Sequence, residues 1–392
     1  MSEANVASRA RDSLADVWEV LPAWAAIASS SGDPAGLTAM LAVLRARAER
    51  LPGTAREARL DRAGPGALYV SCRPDAPRRV LLVGHMDTVH GPDVTAPPIE
   101  RRGDVLTGPG VADMKGGLLV MLAALEGFEA SPHAPRLGWD LIVTPDEELG
   151  SPLGAPFLAA AVGAVHWGLV FEPAGAGGGV VIQRRGRSVL RVDVAGRSAH
   201  AGRDPASGRN AVTALAELVL AAEAMGAPDA HLDVTVGTAR GGSQVNVVPD
   251  RAVAEIDVRA PDAAPLADVA VELRRVADDV VRRREVQVEV REVVGCPPMA
   301  PTPVSERLAR TYGEAARTVG IDAPPVRVGG VSDANHLAGA GLSVIDGLGP
   351  LGGGLHSPDE WVDVPSILDR AAAAAVLLHR LATGDEREPA PG

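Results

Sequence analysis

The sequence predicts an α/β protein interrupted by a smaller α+β domain. Short apolar runs at residues 79–83, 141–144 and 167–171 read as strands, alternate with helical patterns, and each finish in acidic or imidazole side chains. From about residue 183 the pattern becomes strand-helix-strand-strand-helix-strand, the order of a split βαβ, ferredoxin-like unit. From about residue 301 the α/β pattern resumes. The chain therefore reads as a first part over residues 1–182, an inserted domain over 183–295 and a second part over 296–392. A length of 392 residues supports two cores.

Composition narrows the function. With 46% hydrophobic and 22% charged residues the chain reads as globular, and a net charge of −12 argues against a nucleic-acid partner, which needs a basic face. The arginine clusters at 184–187 and 282–284 are short, lie near acids and read as solvated faces. Lys115 is the single lysine, and it stands inside a motif. Cys72 and Cys296 sit in no metal spacing, so a metal would be held by His, Asp and Glu. Residues 1–16 are polar and mixed in charge, without an apolar signal region, and no apolar run approaches the roughly 20 residues that span a bilayer. The expectation is a cytoplasmic protein without a membrane partner. The tail over 384–392 is expected to fray.

In chain order, residues 13–28 and 35–51 carry helical periodicity, separated by Ser31-Gly32-Asp33-Pro34. Strands follow near 67–71 and 80–84, and the second stops at Gly84-His85-Met86-Asp87. Residues two apart on a strand share a face, so His85 and Asp87 suit a metal-bound imidazole oriented by a carboxylate, or an ordinary structural pair. The loop over 107–117 opens a helix from about 117 to 130, yet its lysine is followed by glycine, which excludes a phosphate loop. Asp113 in that loop is either an N-cap-region residue or a metal ligand. The strand at 141–144 leads into Asp146-Glu147-Glu148, and that at 167–171 into Glu172. In open α/β sheets the site lies at the carboxyl ends of the strands, so His85, Asp87, Glu147, Glu148 and Glu172 can converge on one rim.

In the insert, strands are expected at 189–194, 232–238, 252–258 and 286–293, with helices at 208–225 and 266–280. Beyond it come a helix at 304–319, the segment 326–333, a strand at 342–345, a glycine loop bearing His356 and a final helix at 367–381. His356 can face whatever sits above the sheet or be a plain loop residue. Histidines and carboxylates without cysteine suit zinc or a similar divalent ion. Two such ions about 3.5–4 Å apart can share a carboxylate and activate water. Within Glu147-Glu148, one residue can bind metal while its neighbour remains free as a base, a role worth typically ~10²–10⁴ in rate. A solvated acidic turn is the alternative.

The ordered motifs Gly84-His85-Met86-Asp87, Gly110-Val111-Ala112-Asp113-Met114-Lys115-Gly116-Gly117, Asp146-Glu147-Glu148-Leu149-Gly150-Ser151, Phe171-Glu172-Pro173, the stretch 196–202 around His200, the stretch 241–250 around Asn246, and 355–360 around His356 cover nearly the whole chain. Together they resemble the dizinc carboxypeptidase and aminoacylase family, which includes glutamate carboxypeptidase, acetylornithine deacetylase and succinyl-diaminopimelate desuccinylase. The resemblance implies a mixed-sheet zinc-hydrolase catalytic domain with an inserted lid and dimerisation domain, hence a homodimer. It implies two zinc ions per chain, with cobalt or manganese as substitutes. His85 and Glu172 would hold one ion, Glu148 and His356 the other, and Asp113 would bridge them. Asp87 would orient His85, and Glu147 would be general base and acid. His200 would stabilise the oxyanion, Asn246 and Arg259 would hold the substrate carboxylate, and the backbone near Gly329 and Gly330 would line the pocket.

The implied reaction is cleavage of an amide next to a free carboxylate, on a small peptide or an N-acyl amino acid. The carboxypeptidase reading stands beside deacylase and biosynthetic amidohydrolase readings, and beside a non-catalytic binding protein, against which the intact ligand and base positions weigh. Glutamate-specific relatives place further basic residues after the Phe-Glu-Pro motif and past the last lid strand. Here those regions read as uncharged 174–182 and Gly295-Cys296-Pro297-Pro298, which argues against glutamate specificity. Two chain crossings make hinge closure of the lid the natural motion.

Overall fold

The computed structural model describes residues 2–60, 64–91 and 96–384. The tail expected to fray lies, from residue 385 onward, outside the described residues. The chain divides into two compact units, Met1–Gln183 with Pro301–Gly392, and Arg184–Ala300. Residues 296–300, read from sequence with the second part, fall in the inserted unit. Its last strand runs through Cys296, and Met299 exchanges backbone hydrogen bonds with Arg184.

The first unit opens with helices α1 (Glu3–Asp12), α2 (Val17–Ala25) and α3 (Pro34–Ala48), where Asp33 caps α3 by accepting the Ala35 N–H. Strands β1 (Thr54–Ala58), β2 (Ala67–Cys72), β3 (Arg79–His85), β4 (Glu100–Arg102) and β5 (Val105–Thr107) follow. Then come α4 (Gly117–Glu129), β6 (Gly138–Thr144), α5 (Gly154–Ala161), β7 (Trp167–Val170) and β8 (Val180–Arg184). The inserted unit contains β9 (Gly186–Ala195), α6 (Ala211–Glu223), β10 (Asp233–Gly241), β11 (Arg251–Ala260), α7 (Ala263–Arg284) and β12 (Gln287–Cys296). The chain closes with α8 (Pro303–Thr318), β13 (Pro325–Val328), α9 (Asp333–Gly339), β14 (Val344–Ile345), β15 (Gly352–Gly353), β16 (Trp361–Asp363) and α10 (Val364–Thr383).

The main sheet is mixed and runs β1-β2-β6-β3-β7-β14. The neighbours from β6 to β14 are parallel, while β2 pairs antiparallel with β6 and β1 with β2. β3 is buried along its whole length between β6 and β7, which explains the continuous apolar run Val80–Val83 at its centre. The chain moves from β3 to β6 on one side and then to β7 on the other, so the order reverses at β3. A crevice opens at such a reversal beyond the carboxyl ends of the strands. The register places His85 opposite Thr144 and Val83 opposite Val170, so the three strands end side by side.

The fully buried alanines Ala371 to Ala375 let α10 approach α4, α1 and α8 closely. Helix α1 lies within residues 1–16, whose polar, mixed-charge sequence does not announce it. Val6, Ala7 and Ala10 are its buried residues, and packing against α10 and α4 stabilises a segment too short to be helical alone. Where α4 starts, a side chain at Gly117 would place its Cβ 2.0 Å from the Phe171 carbonyl oxygen, so glycine is what allows α4 to reach the end of β7.

In the inserted unit the strand order is β10-β11-β9-β12, with every neighbouring pair antiparallel. Leu190, Val192, Val194, Ala254, Ile256 and Val258 face the core under α6 and α7. The alternate positions carry Arg187, Arg191, Asp193, Glu255, Asp257 and Arg259, joined into ion pairs. Both arginine clusters read as solvated faces are thus paired: Arg187 with Asp257, and Arg283 and Arg284 with Glu217. Among the described residues no helix is long and apolar enough to cross a membrane.

Candidate active site

His85 ends β3 and is 1% exposed. Its Nδ1 lies 3.0 Å from the Asp87 carbonyl oxygen and 3.3 Å from Asp87 Oδ1, which leaves Nε2 to face the crevice. There Nε2 is 3.2 Å from Asp113 Oδ1 and 3.5 Å from Glu172 Oε1. On the other side His356 Nε2 is 3.2 Å from Asp113 Oδ2 and 3.2 Å from Glu148 Oε2. The two oxygens of Asp113 are therefore divided between the two imidazoles.

Local structure explains how each group arrives. Glu147 and Glu148 occupy a single tight turn after β6, closed by Gly150 in the left-handed region. Their backbone N–H groups donate to Asp87 Oδ1 and Oδ2 at 3.2 and 3.1 Å, so Asp87 holds the turn as well as His85. Asp113 lies in a wide turn, Val111–Gly116, before α4, with extended dihedrals. The N-cap position of α4 is Gly116 rather than Asp113. Glu172 follows β7 and is buried. His356 sits in the glycine loop between β15 and β16 with φ of 60°, its side chain about half exposed.

Burial and crowding reshape the acid–base behaviour. Burial pushes Glu147 well above the ordinary carboxylate range, Asp333, Glu148 and Asp113 push the same way, and His85 only partly opposes them. Glu172 is likewise driven well up by burial and then by Asp113. Glu148 is raised by burial against the pull of His356. Burial would depress His85, but Glu172, Asp113 and Asp87 together hold it well above its usual value. His356, hydrogen-bonded to Asp113 and Glu148, is raised to about 10. Burial opposes the ionisation of Asp113, yet its bonds to both imidazoles hold it low. Four carboxylates crowd two imidazoles here, and protons on the site stand in for cationic charge.

Donor chemistry and spacing both fit divalent ions. His85, Asp113 and Glu148, and separately His85, Glu147 and Glu172, each bring ligand atoms within 4.8 Å of one another. A tetrahedral ion bound at about 2.0–2.2 Å sets its ligands about 3.3–3.6 Å apart, the range of the His85–Glu172 edge and close to the other contacts. Proximity alone does not separate Glu147 from Glu148. Glu148 Oε2 is the oxygen that meets His356.

In the inserted unit, His200 pairs with Val247, and the Ala201 N–H donates to the Asn246 carbonyl, which brings His200 and Asn246 together. His200 Nδ1 accepts the Gly202 N–H at 3.1 Å, so in the neutral ring Nε2 carries the proton. Arg259, near the end of β11, donates through Nε to Asp257 Oδ1 at 2.8 Å, the pairing that a surface arginine would make. Gly330 lies exposed in the bend between β13 and α9.

Two buried carboxylates beside the site have no role in the sequence reading. Asp333 accepts Thr144 Oγ1 at 2.7 Å and Ser151 Oγ at 2.5 Å, which brackets the Glu147-Glu148 turn from both sides. Glu360 lies under the Asp113 loop. Asp333 follows a serine at a helix start and Glu360 closes a motif, but neither signal tells a cap or a loop residue from a buried acceptor.

The model of the family described as peptidase family M20/M25/M40 matches residues 81–380. Carboxypeptidase G2 of Pseudomonas sp. (strain RS-16) is 29% identical over 316 residues, 78% of this chain and 75% of the relative. Succinyl-diaminopimelate desuccinylase 2 of Shewanella loihica is 28% identical over 315 residues, 75% of this chain and 82% of the relative. Among solved structures, the aminopeptidase PepT of Bacillus cereus superposes with a TM-score of 0.77 at 21% identity, covering 96% of this chain and 99% of that one.

Proposed function

Because the chain belongs to peptidase family M20/M25/M40 and is thus a metal-dependent hydrolase, we propose that it is a dizinc enzyme cleaving an amide next to a free carboxylate. The observation that carries this reading is the division of the Asp113 carboxylate between His85 and His356. On it, His85 and Glu172 would hold one ion and Glu148 and His356 the other, with Asp113 available to both. When bound, the pair of ions supplies Lewis acidity toward the carbonyl and lowers the pKa of water.

The remaining work falls to side chains of this chain. Glu147, whose burial raises its proton affinity, takes the proton of the attacking water and returns it to the leaving nitrogen. Asp87 keeps the His85 ring in place, with Nδ1 engaged and Nε2 turned to the site. His200, with its proton on Nε2, donates to the developing oxyanion. Asn246 and Arg259 hold the substrate carboxylate, and the backbone at Gly330 lines the pocket. The inserted unit acts as lid and dimerisation domain.

A deacylase acting on N-acyl amino acids is the second reading, supported by the likeness to a desuccinylase. The test is turnover of a panel of dipeptides and N-acyl amino acids with zinc or cobalt supplied, together with metal analysis of protein purified without chelator. Two ions per chain and hydrolysis confined to substrates with a free carboxylate are expected. Failure to bind any divalent ion, or equal turnover of carboxylate and amide forms, would overturn the proposal.

A further inference from the structure

Glu360 is 1% exposed and has no place in the chemistry above. Its Oε1 accepts the backbone N–H of Ala112 at 2.9 Å and of Asp113 at 3.1 Å. Its Oε2 accepts the Gly110 N–H at 2.9 Å and lies 3.3 Å from His90 Nε2. Its own carbonyl oxygen accepts the Gly108 N–H at 3.2 Å. One residue thus receives four backbone donors from the loop between β5 and α4. That loop carries Asp113 on a backbone that departs from regular helix at Asp113 and Met114, with the Lys115 N–H donating to the Gly110 carbonyl at 2.8 Å as its internal tie.

The same residue stands four positions after His356, at the start of β16, which pairs with β5 through Trp361 and Thr107. Asp113 and His356 come from different loops, and His356 is the half-exposed imidazole of the cluster. Their 3.2 Å contact therefore depends on the two loops being held in one register. Glu360 joins them directly. A neutral side chain could close the loops against each other at lower desolvation cost, whereas a carboxylate offers acceptor pairs on both oxygens, which an amide cannot. Lys115, the single lysine, is also buried nearby and donates to the Ile27 carbonyl at 2.9 Å, so the buried charge is not isolated.

We propose that Glu360 is the positioning residue that fixes the Asp113 carboxylate between His85 and His356, and so sets the geometry in which two ions share it. The inference rests on the reading of Asp113 as the bridge. Glu360 touches neither substrate nor reacting atoms, and it acts through the Asp113 loop.

The test compares the full chain with Glu360→Gln, Glu360→Asp and Asp113→Asn, each stripped of metal and titrated with cobalt, whose visible spectrum reports coordination geometry. Gly127→Ala, in the last turn of α4 where it packs against Val6 and Ala10 of α1, at the end of α4 away from these loops, serves as a control for general loss of stability. Glu360→Gln is expected to weaken binding of at least one ion by about 10–100-fold, the usual effect of a residue that supports a ligand. Its cobalt spectrum should change, and kcat at saturating metal should fall with little change in KM. Glu360→Asp, which keeps the charge, should lie between Glu360→Gln and the unaltered chain. Gly127→Ala should lower the unfolding temperature and leave the spectrum as it was. If Glu360→Gln fails to fold, the same comparison is made with Glu360→Asp. Native affinity and spectrum in the Glu360 variants would overturn the role of Glu360 alone. Equal metal uptake by the unaltered chain and Asp113→Asn would instead overturn the reading of Asp113.

Discussion

The backbone N–H of Glu148 donates to Oδ2 of Asp87 at 3.1 Å, so the carboxylate beside His85 also anchors the turn that carries the two glutamates. Asp87 Oδ2 further accepts Ser31 Oγ at 2.6 Å, which ties the turn to the segment before α3. Asp87→Ala should therefore loosen both halves of the site at once, with metal affinity and turnover each falling about 10–100-fold. Calorimetric metal titration beside steady-state kinetics checks this. Loss of turnover with unchanged metal affinity would show that Asp87 does not hold the ligand turn.

Glu147→Gln retains size and hydrogen bonding but cannot take a proton, so turnover should drop by at least ~10² with both metals kept. Glu148→Gln removes the carboxylate facing His356 and should lower metal content first, with activity partly restored by excess zinc. The reverse pattern would mean that the roles within the pair are exchanged.

Metal uptake should release protons. In the metal-free chain His356 is raised to about 10 by Asp113 and Glu148, so near neutral pH it is protonated and must lose that proton to coordinate. Affinity should rise with pH toward that value, and binding heats should differ between buffers of different ionisation enthalpy. The linkage to stability has the opposite sign. A folded pKa above the ordinary 6.5 stabilises fully below it and ceases to do so as pH rises through about 10. Chelator-treated protein should thus lose unfolding temperature over this window more steeply than metal-loaded protein. Proton-neutral binding at pH 7 would contradict this account.

Arg259 shares Asp257 with Arg187, whose Nε donates to the other carboxylate oxygen at 2.6 Å. A guanidinium aimed by a strand and a fixed acid suits bidentate carboxylate binding. Arg259→Ala should raise KM strongly for substrates with a free α-carboxylate and change little for their amides. Neutral C-terminal residues should do comparably well to glutamate. A preference of more than about a hundredfold for glutamate, roughly 2.7 kcal/mol, would show that a second cation serves the pocket.

Gly117→Ala tests how the scaffold supports the site. The added Cβ meets the Phe171 carbonyl at 2.0 Å, and this backbone cannot swing aside as a side chain would. A loss of about 1–3 kcal/mol is expected from overpacking. Since Glu172 follows Phe171, weaker metal binding should accompany the lower unfolding temperature. An unchanged melting curve would mean that α4 and β7 yield more easily than their burial implies.

Much of this protein is legible in its residues alone. The apolar runs of β3, β6 and β7 and the acids or imidazole that end them follow from residue type and position alone, because a buried parallel strand needs continuous apolar sequence. The alternation in β9 and β11 and the helical spacing of α7 likewise announce the inserted unit. Other features depend on partners distant in sequence. Helix α1 shows little apolar signal, and its three buried residues matter only because α4 and α10 meet them. Between a cap-region residue and a ligand at Asp113, spacing does not choose; the imidazole that meets its second oxygen, His356, comes more than two hundred residues later in the chain. Glu360 and Asp333 were silent for the same reason, since a carboxylate becomes an internal acceptor only when folding surrounds it with donors. The sequence by itself determined which residues have the chemistry to bind metal and move protons. Tertiary structure alone decided that one carboxylate faces two imidazoles, because distances between side chains on separate loops are set by sheet order and buried hydrogen bonds, which no local pattern encodes.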